Sequence, residues 1–170
     1  MHIPKQLFIE DLTSEQIQVI EARMRPRQFS EAGFLGRKQN LRDVVYEDAE
    51  TIRKLGVNYN QIADKIDYLT DYTADGCGRV VDDIFKVSVI FSAGIQECPF
   101  FYEEEPTEIG TRVYTCGRAS NIFFVKNIRS GESIGFSELM PHLIRDHHFF
   151  EGETPYRLDP ERAVRILELR

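Results

Sequence analysis

The sequence predicts an α+β fold: a helical N-terminal part, a central antiparallel sheet of about five strands, and one or two C-terminal helices. Two observations carry this. Apolar residues recur at helical spacing through residues 1–75, then switch to strand-like alternation at DGCG (75–78). Short turn-bounded runs follow, and an Asp-Pro pair opens a last amphipathic segment. Helices followed by strands in blocks, rather than in βαβ alternation, indicate α+β. The expected boundaries are a helical subdomain over 1–75 and a sheet with C-terminal helices over 76–170, together forming one compact domain.

In chain order, Ser14 is the expected cap of a helix over EQIQVIEARM, with Ile17, Ile20 and Met24 on one stripe and Pro26 closing it. FSEAGFLGRKQN reads as a loop. Asn40 is placed to cap LRDVVYEDAETIRKL, where Leu41, Val44, Val45, Asp48, Ile52 and Leu55 fall near one face. Gly56 suits the left-handed position after that helix. YNQIADKIDYLTDY repeats the helical spacing with Ile62, Ile66 and Leu69. RVV and FKVSVIF flank Asp82-Asp83 as a hairpin, and the run continues to IQECPFF. An acidic loop, YEEEPTEIG, leads to TRVYTCG; NIFFVKN and SIGF flank RSGE as a second hairpin. LMPHLIRDHHFF reads as a short helix with Pro141 in its first turn. Asp159 then caps a last helix with Pro160 at its first position and Ala163, Ile166 and Leu167 inward.

Composition narrows the function. With 170 residues, 42% hydrophobic content, 12 Phe and 7 Tyr, the chain has material for a real core. A domain of this size buries roughly 70% of its unfolded surface and needs no staple. A net charge of −7 disfavours broad binding to nucleic acid or anionic membranes. No apolar run is long enough for a signal peptide or a membrane span. Three cysteines, an odd number, point to a reducing cytoplasm. No partner is identified, and a homo-oligomer is compatible with the sequence.

LRDVVYEDAETIRKLGVNYNQIADKIDYL is similar in outline to a DNA-binding helix–turn–helix, with Gly56 in the turn. Two features oppose that function. Ile52 stands where that family carries a small residue. Segment 41–75 has four bases against eight acids, a net −4. A packed helical hairpin is the simpler reading.

The cysteines and histidines form the candidate site. Leu139, His142 and His147 resemble the helix of a two-Cys two-His zinc finger, over about ten residues. The cysteines depart from that pattern: seventeen residues separate Cys98 from Cys116, and a further 25 separate Cys116 from His142. A differently assembled four-ligand site remains, with Cys98, Cys116, His142 and His147 as metal ligands and zinc as the expected ion. Pro99 and Gly117 favour turns after the two thiols, which converge if their strands pair. His142 and His147 lie about 140° apart on an ideal helix, so the helix must loosen or end for both to reach one ion. His148 is the alternative second imidazole and Cys77 a reserve ligand. The competing reading makes these residues ordinary core. A third makes Cys98 a nucleophile, with His142 or His147 as base and Asp146 orienting it, in a small-ligand or hydrolytic enzyme. The acids of EEEPTE are consecutive and so point apart, a solvated loop rather than a hard-cation site. No phosphate-cradling Gly loop or nucleophile elbow occurs.

Taken together, GFLGRKQNLRDVVYEDAETIRKLGVNYNQIADKI, QECPFF and HLIRDHHFFEGETPYRLDPERAV resemble a family of small, uncharacterised prokaryotic conserved proteins. The resemblance implies one intracellular domain and carries no activity, cofactor or catalytic residue.

Overall fold

A computed structural model describes residues 8–28, 30–71, 78–100 and 116–169. After a single 3-10 turn at Ile9–Asp11, three helices follow: α1 (Ser14–Met24), α2 (Leu41–Leu55) and α3 (Tyr59–Thr70). Next come strands β1 (Arg79–Val81), β2 (Phe85–Glu97), β3 (Arg118–Asn127) and β4 (Ser133–Ser137). Helices α4 (Met140–His147) and α5 (Pro160–Ile166) complete the chain. The fold is α+β, as the sequence indicates. Among the described residues the sheet has four antiparallel strands in the order β1-β2-β3-β4. A fifth strand was expected over TRVYTCG; all of it before Cys116 lies outside the described residues.

The caps explain the boundaries. Asn40 accepts from the N–H groups of Arg42 and Asp43, and Gly56 ends α2 at φ +69°. At α1 the cap is Thr13 rather than the expected Ser14. Thr13 Oγ1 accepts from Gln16 N–H while Gln16 Oε1 accepts from Thr13 N–H, a reciprocal pair that only Thr13 can make with a Gln three residues on. Asp159 caps α5 as expected. Leu55 is more exposed than its place in the stripe implies, because it stands on the last turn of α2 at the rim.

Among the described residues, two clusters of buried side chains form the core. One joins α3, the inner face of the sheet and α5, through Ile62, Ile66, Val87, Val125 and Ile166. The other joins α1 and the start of α2 to the far end of the sheet, through Ile20, Met24, Leu41, Cys98 and Phe100. Helix α4 lies between them: Met140 and Ile144 belong to the first cluster, Leu139 and Leu143 to the second. Its remaining face carries His142 and Asp146, four residues apart.

The register of β2 against β3 decides where Cys98 points. Phe91 pairs with Asn121, and the next pair is Gln96 with Ala119. Five steps on β2 therefore match two on β3, a bulge of three residues. Three is odd, so the alternation of faces is inverted. Without the bulge Cys98 would share the outer face with Lys86 and Ile90; with it, Cys98 turns inward and is fully buried.

Candidate metal centre

Cys98 and Cys116 stand at the open end of the β2–β3 ladder. Glu97 pairs with Arg118, and Cys98 N–H donates to the Gly117 carbonyl at 2.9 Å. The expectation that strand pairing brings the two thiols together therefore holds through the β2–β3 ladder, which Cys116 precedes with only Gly117 between; the segment expected to form a strand ending at Cys116 lies outside the described residues. Helix α4 crosses this end of the sheet and supplies His142 and His147.

The four ligand atoms of Cys98, Cys116, His142 and His147 all lie within 4.8 Å of one another. Cys116 Sγ is 3.3 Å from Nε2 of His142 and 3.3 Å from Nε2 of His147. Tetrahedral Zn²⁺ with Zn–S near 2.3 Å and Zn–N near 2.0 Å has ligand–ligand edges of about 3.3–3.8 Å, so only small closing movements separate the cluster from a coordinated geometry. Neither Cys98 nor Cys116 is in a disulfide.

Helix α4 solves the 140° problem by ending. His147 is its last residue, and His148 adopts a left-handed conformation, φ +55°. His148 N–H donates to Ile144 O and Phe149 N–H to Leu143 O, which closes the helix terminus. The two imidazoles stand nearly perpendicular, with centroids 5.0 Å apart, and straddle Cys116. His148 is not the second imidazole ligand: the helix terminus turns it away to stack on Tyr59 at 3.8 Å. Cys77, the reserve ligand, lies outside the described residues.

Supporting groups fix the histidines. Asp146 Oδ2 lies 2.6 Å from His142 Nδ1. That contact places the ring proton on Nδ1 and leaves the Nε2 lone pair for a metal, the usual outer-shell arrangement of a ligating histidine. His147 is held by Phe100, whose ring stacks on it at 4.3 Å and 8°. Gly117 leaves room for His142: a Cβ there would sit 2.7 Å from its Cδ2. Sequence reasoning placed Asp146 on the right face but missed Phe100 and this use of Gly117. Both depend on approach between segments far apart in the chain.

Electrostatics follow the contacts. Hydrogen bonding with Cys98, and with His142 and His147, holds the Cys116 thiol far below its ordinary range. Burial, reinforced by the neighbouring Cys116, pushes Cys98 the other way. For His142, burial works against the proton, but Cys116 and Asp146 outweigh it and raise the pKa. A bound dication would deprotonate both thiols and compete with the imidazole proton. Burial is uneven: Cys98 and His147 are sealed, whereas the His142 and Asp146 side chains are 21% and 24% exposed.

A cleft of about 810 Å³ opens between α3 and the sheet, lined by Ile66, Val89, Phe91, Phe123 and Phe136 among others. None of the four ligand residues lines it. No family model matches the chain, and no curated protein or solved structure is significantly similar to it. Among the described residues, no helix is long and apolar enough to cross a membrane.

Proposed function

We propose that the protein binds one Zn²⁺ through Cys98, Cys116, His142 and His147, and that the ion is structural. The reading is carried by the convergence of two sulfurs and two imidazole nitrogens within 4.8 Å. Two thiolates with two imidazoles form a donor set that suits zinc in a closed, four-coordinate site. The ion would tie the end of the β2–β3 hairpin to α4, and so fix the helix between the two core clusters. The role that follows is that of a binding or regulatory module in a reducing cytoplasm, where free thiols persist.

A second reading has one observation in its favour. Cys116, His142 and Asp146 form a hydrogen-bonded relay, at 3.3 Å and 2.6 Å. The nucleophile would then be the half-buried Cys116, not the sealed Cys98. Against catalysis, His147 is directed at the same sulfur, a contact a nucleophile does not need, and the cleft lies elsewhere.

Metal analysis with thiol labelling separates the two. The structural site predicts one zinc per chain, a tetrahedral Co²⁺ spectrum with thiolate charge-transfer absorption on substitution, and thiols that resist alkylation until a chelator is added. A metal-free protein whose Cys116 alone alkylates rapidly at neutral pH supports the nucleophile instead.

A further inference from the structure

The outer face of the sheet carries a separate signal, independent of the metal centre. Among the described residues the helices pack on the inner face only, against Val87, Phe123, Val125 and Phe136. By alternation, the opposite face presents Val80, Lys86, Ile90, Ile122, Phe124 and Lys126. Val80, Ile90 and Phe124 are 51%, 55% and 40% exposed. Phe124 is pressed across Gly135 of β4, where a Cβ would come within 2.8 Å of its ring, so the aromatic lies flat as an apolar floor. Exposed apolar side chains gathered on one face mark an interaction surface.

The charge on this face identifies the partner. Lys86 and Lys126 sit directly opposite each other in the ladder, an unfavourable like-charge pair. Neither has an acidic partner among the described residues. The outward positions of the paired segments from Val80 to Ile90 and Ser120 to Gly135 carry no acid, in a chain whose net charge is −7. A second copy using the same face would bring four lysines together. An anionic membrane would gain only about 1 kcal/mol per lysine, against an otherwise acidic molecule. Single-stranded nucleic acid needs successive stacking rings, and Phe124 is the single aromatic at these outward positions. Carboxylates over the lysines and apolar side chains over Ile90 and Phe124 satisfy every feature. We infer that the outer sheet face docks an acidic amphipathic helix of a partner protein, which forms a third layer beyond the two that the described residues build.

The test uses the full chain and a synthetic helical peptide of roughly 20 residues with a Leu stripe flanked by Glu, beside a counterpart flanked by Lys. The Glu peptide is expected to bind and to shift the NMR signals of Lys86, Ile90, Phe124 and Lys126. Binding should weaken at least tenfold in the Lys86→Glu/Lys126→Glu variant. That variant should in turn take the Lys peptide. Both substitutions are at exposed positions, and an unchanged melting curve verifies the fold. No binding, equal binding of the two peptides to the natural chain, or signals shifted elsewhere overturns the inference. So does lysine-dependent retention on phosphatidylserine vesicles or poly(U) without peptide binding.

Discussion

The carboxylate of Asp146 lies 2.6 Å from Nδ1 of His142, one helical turn away on α4. It holds the imidazole with Nε2 directed at Cys116, so a metal meets a ring already oriented. Asp146→Asn keeps the size but loses the charge. Zinc affinity should fall about 10–100-fold with little change in the folded structure, as read by competition against a chromophoric chelator. Unaltered affinity would show that Asp146 does not orient the ligand.

Metal removal should destabilise the chain. Binding only to the folded state at a thousandfold excess over Kd contributes about 4 kcal/mol. At about 2–4 °C per kcal/mol for a domain of this size, chelation should lower Tm by roughly 10 °C. Cys98→Ser should reproduce that loss, and a chelator should then have no further effect. Thermal melts with and without chelator test both statements.

Gly117→Ala should act through His142. The new Cβ would meet the ring edge at 2.7 Å, and Leu139 Cδ1 at 3.1 Å closes the other side. The ring must swing away from Cys116, so zinc affinity should drop at least tenfold while helix content stays the same. Circular dichroism together with metal titration distinguishes this from unfolding.

Glu151 sets a pH dependence away from the centre. It is fully buried; one carboxyl oxygen accepts from Thr154 Oγ1 at 2.6 Å, while the other makes no well-formed hydrogen bond and has only a weak interaction with Ser137. Burial raises its pKa from 4.5 to about 8, against the smaller opposing pulls of Thr154, Arg157 and Ser137. The folded state therefore keeps a proton that the unfolded chain releases. This contribution is complete below pH 4.5 and is lost as pH rises through about 8, at a slope of about 1.4 kcal/mol per pH unit. Glu151→Gln should remove that slope. Denaturant melts of both proteins between pH 6 and 8, on the order of one unit apart, should diverge as pH rises, with the variant the more stable. Parallel curves would contradict a protonated Glu151.

Asp48 and Arg157 form a bidentate pair, at 2.6 and 3.1 Å, with Asp48 only 3% exposed. Arg157 also donates to the Glu151 carbonyl, so the pair anchors the segment before α5 to α2. Arg157→Met leaves a buried carboxylate without its partner and should cost about 3–5 kcal/mol. The Asp48→Leu/Arg157→Met double variant should lose less, because no charge is stranded. Equal losses in the two variants would show that packing, not charge, is what matters there.

Much of this was legible in the sequence where the physics is local. Asn40, Gly56 and Asp159 are caps recognisable from residue type and position alone. The four ligand candidates were identifiable because few residue types bind zinc. What escaped prediction depends on contacts between distant segments. The three-residue bulge in β2 has no signature in SAGIQ, yet it turns Cys98 inward. The thermodynamic preference that put the cap at Thr13 rather than Ser14 is small and rests on Gln16. Asp48, read as one member of an apolar stripe, makes sense there only once Arg157, 109 residues away, is brought beside it.

The metal content and first coordination shell of the purified, full-length protein test the central claim most directly. X-ray absorption at the zinc edge is expected to show one zinc per chain with two sulfurs at about 2.3 Å and two nitrogens at about 2.0 Å. A protein without metal after purification under reducing conditions, or a metal whose shell contains no sulfur, would contradict it.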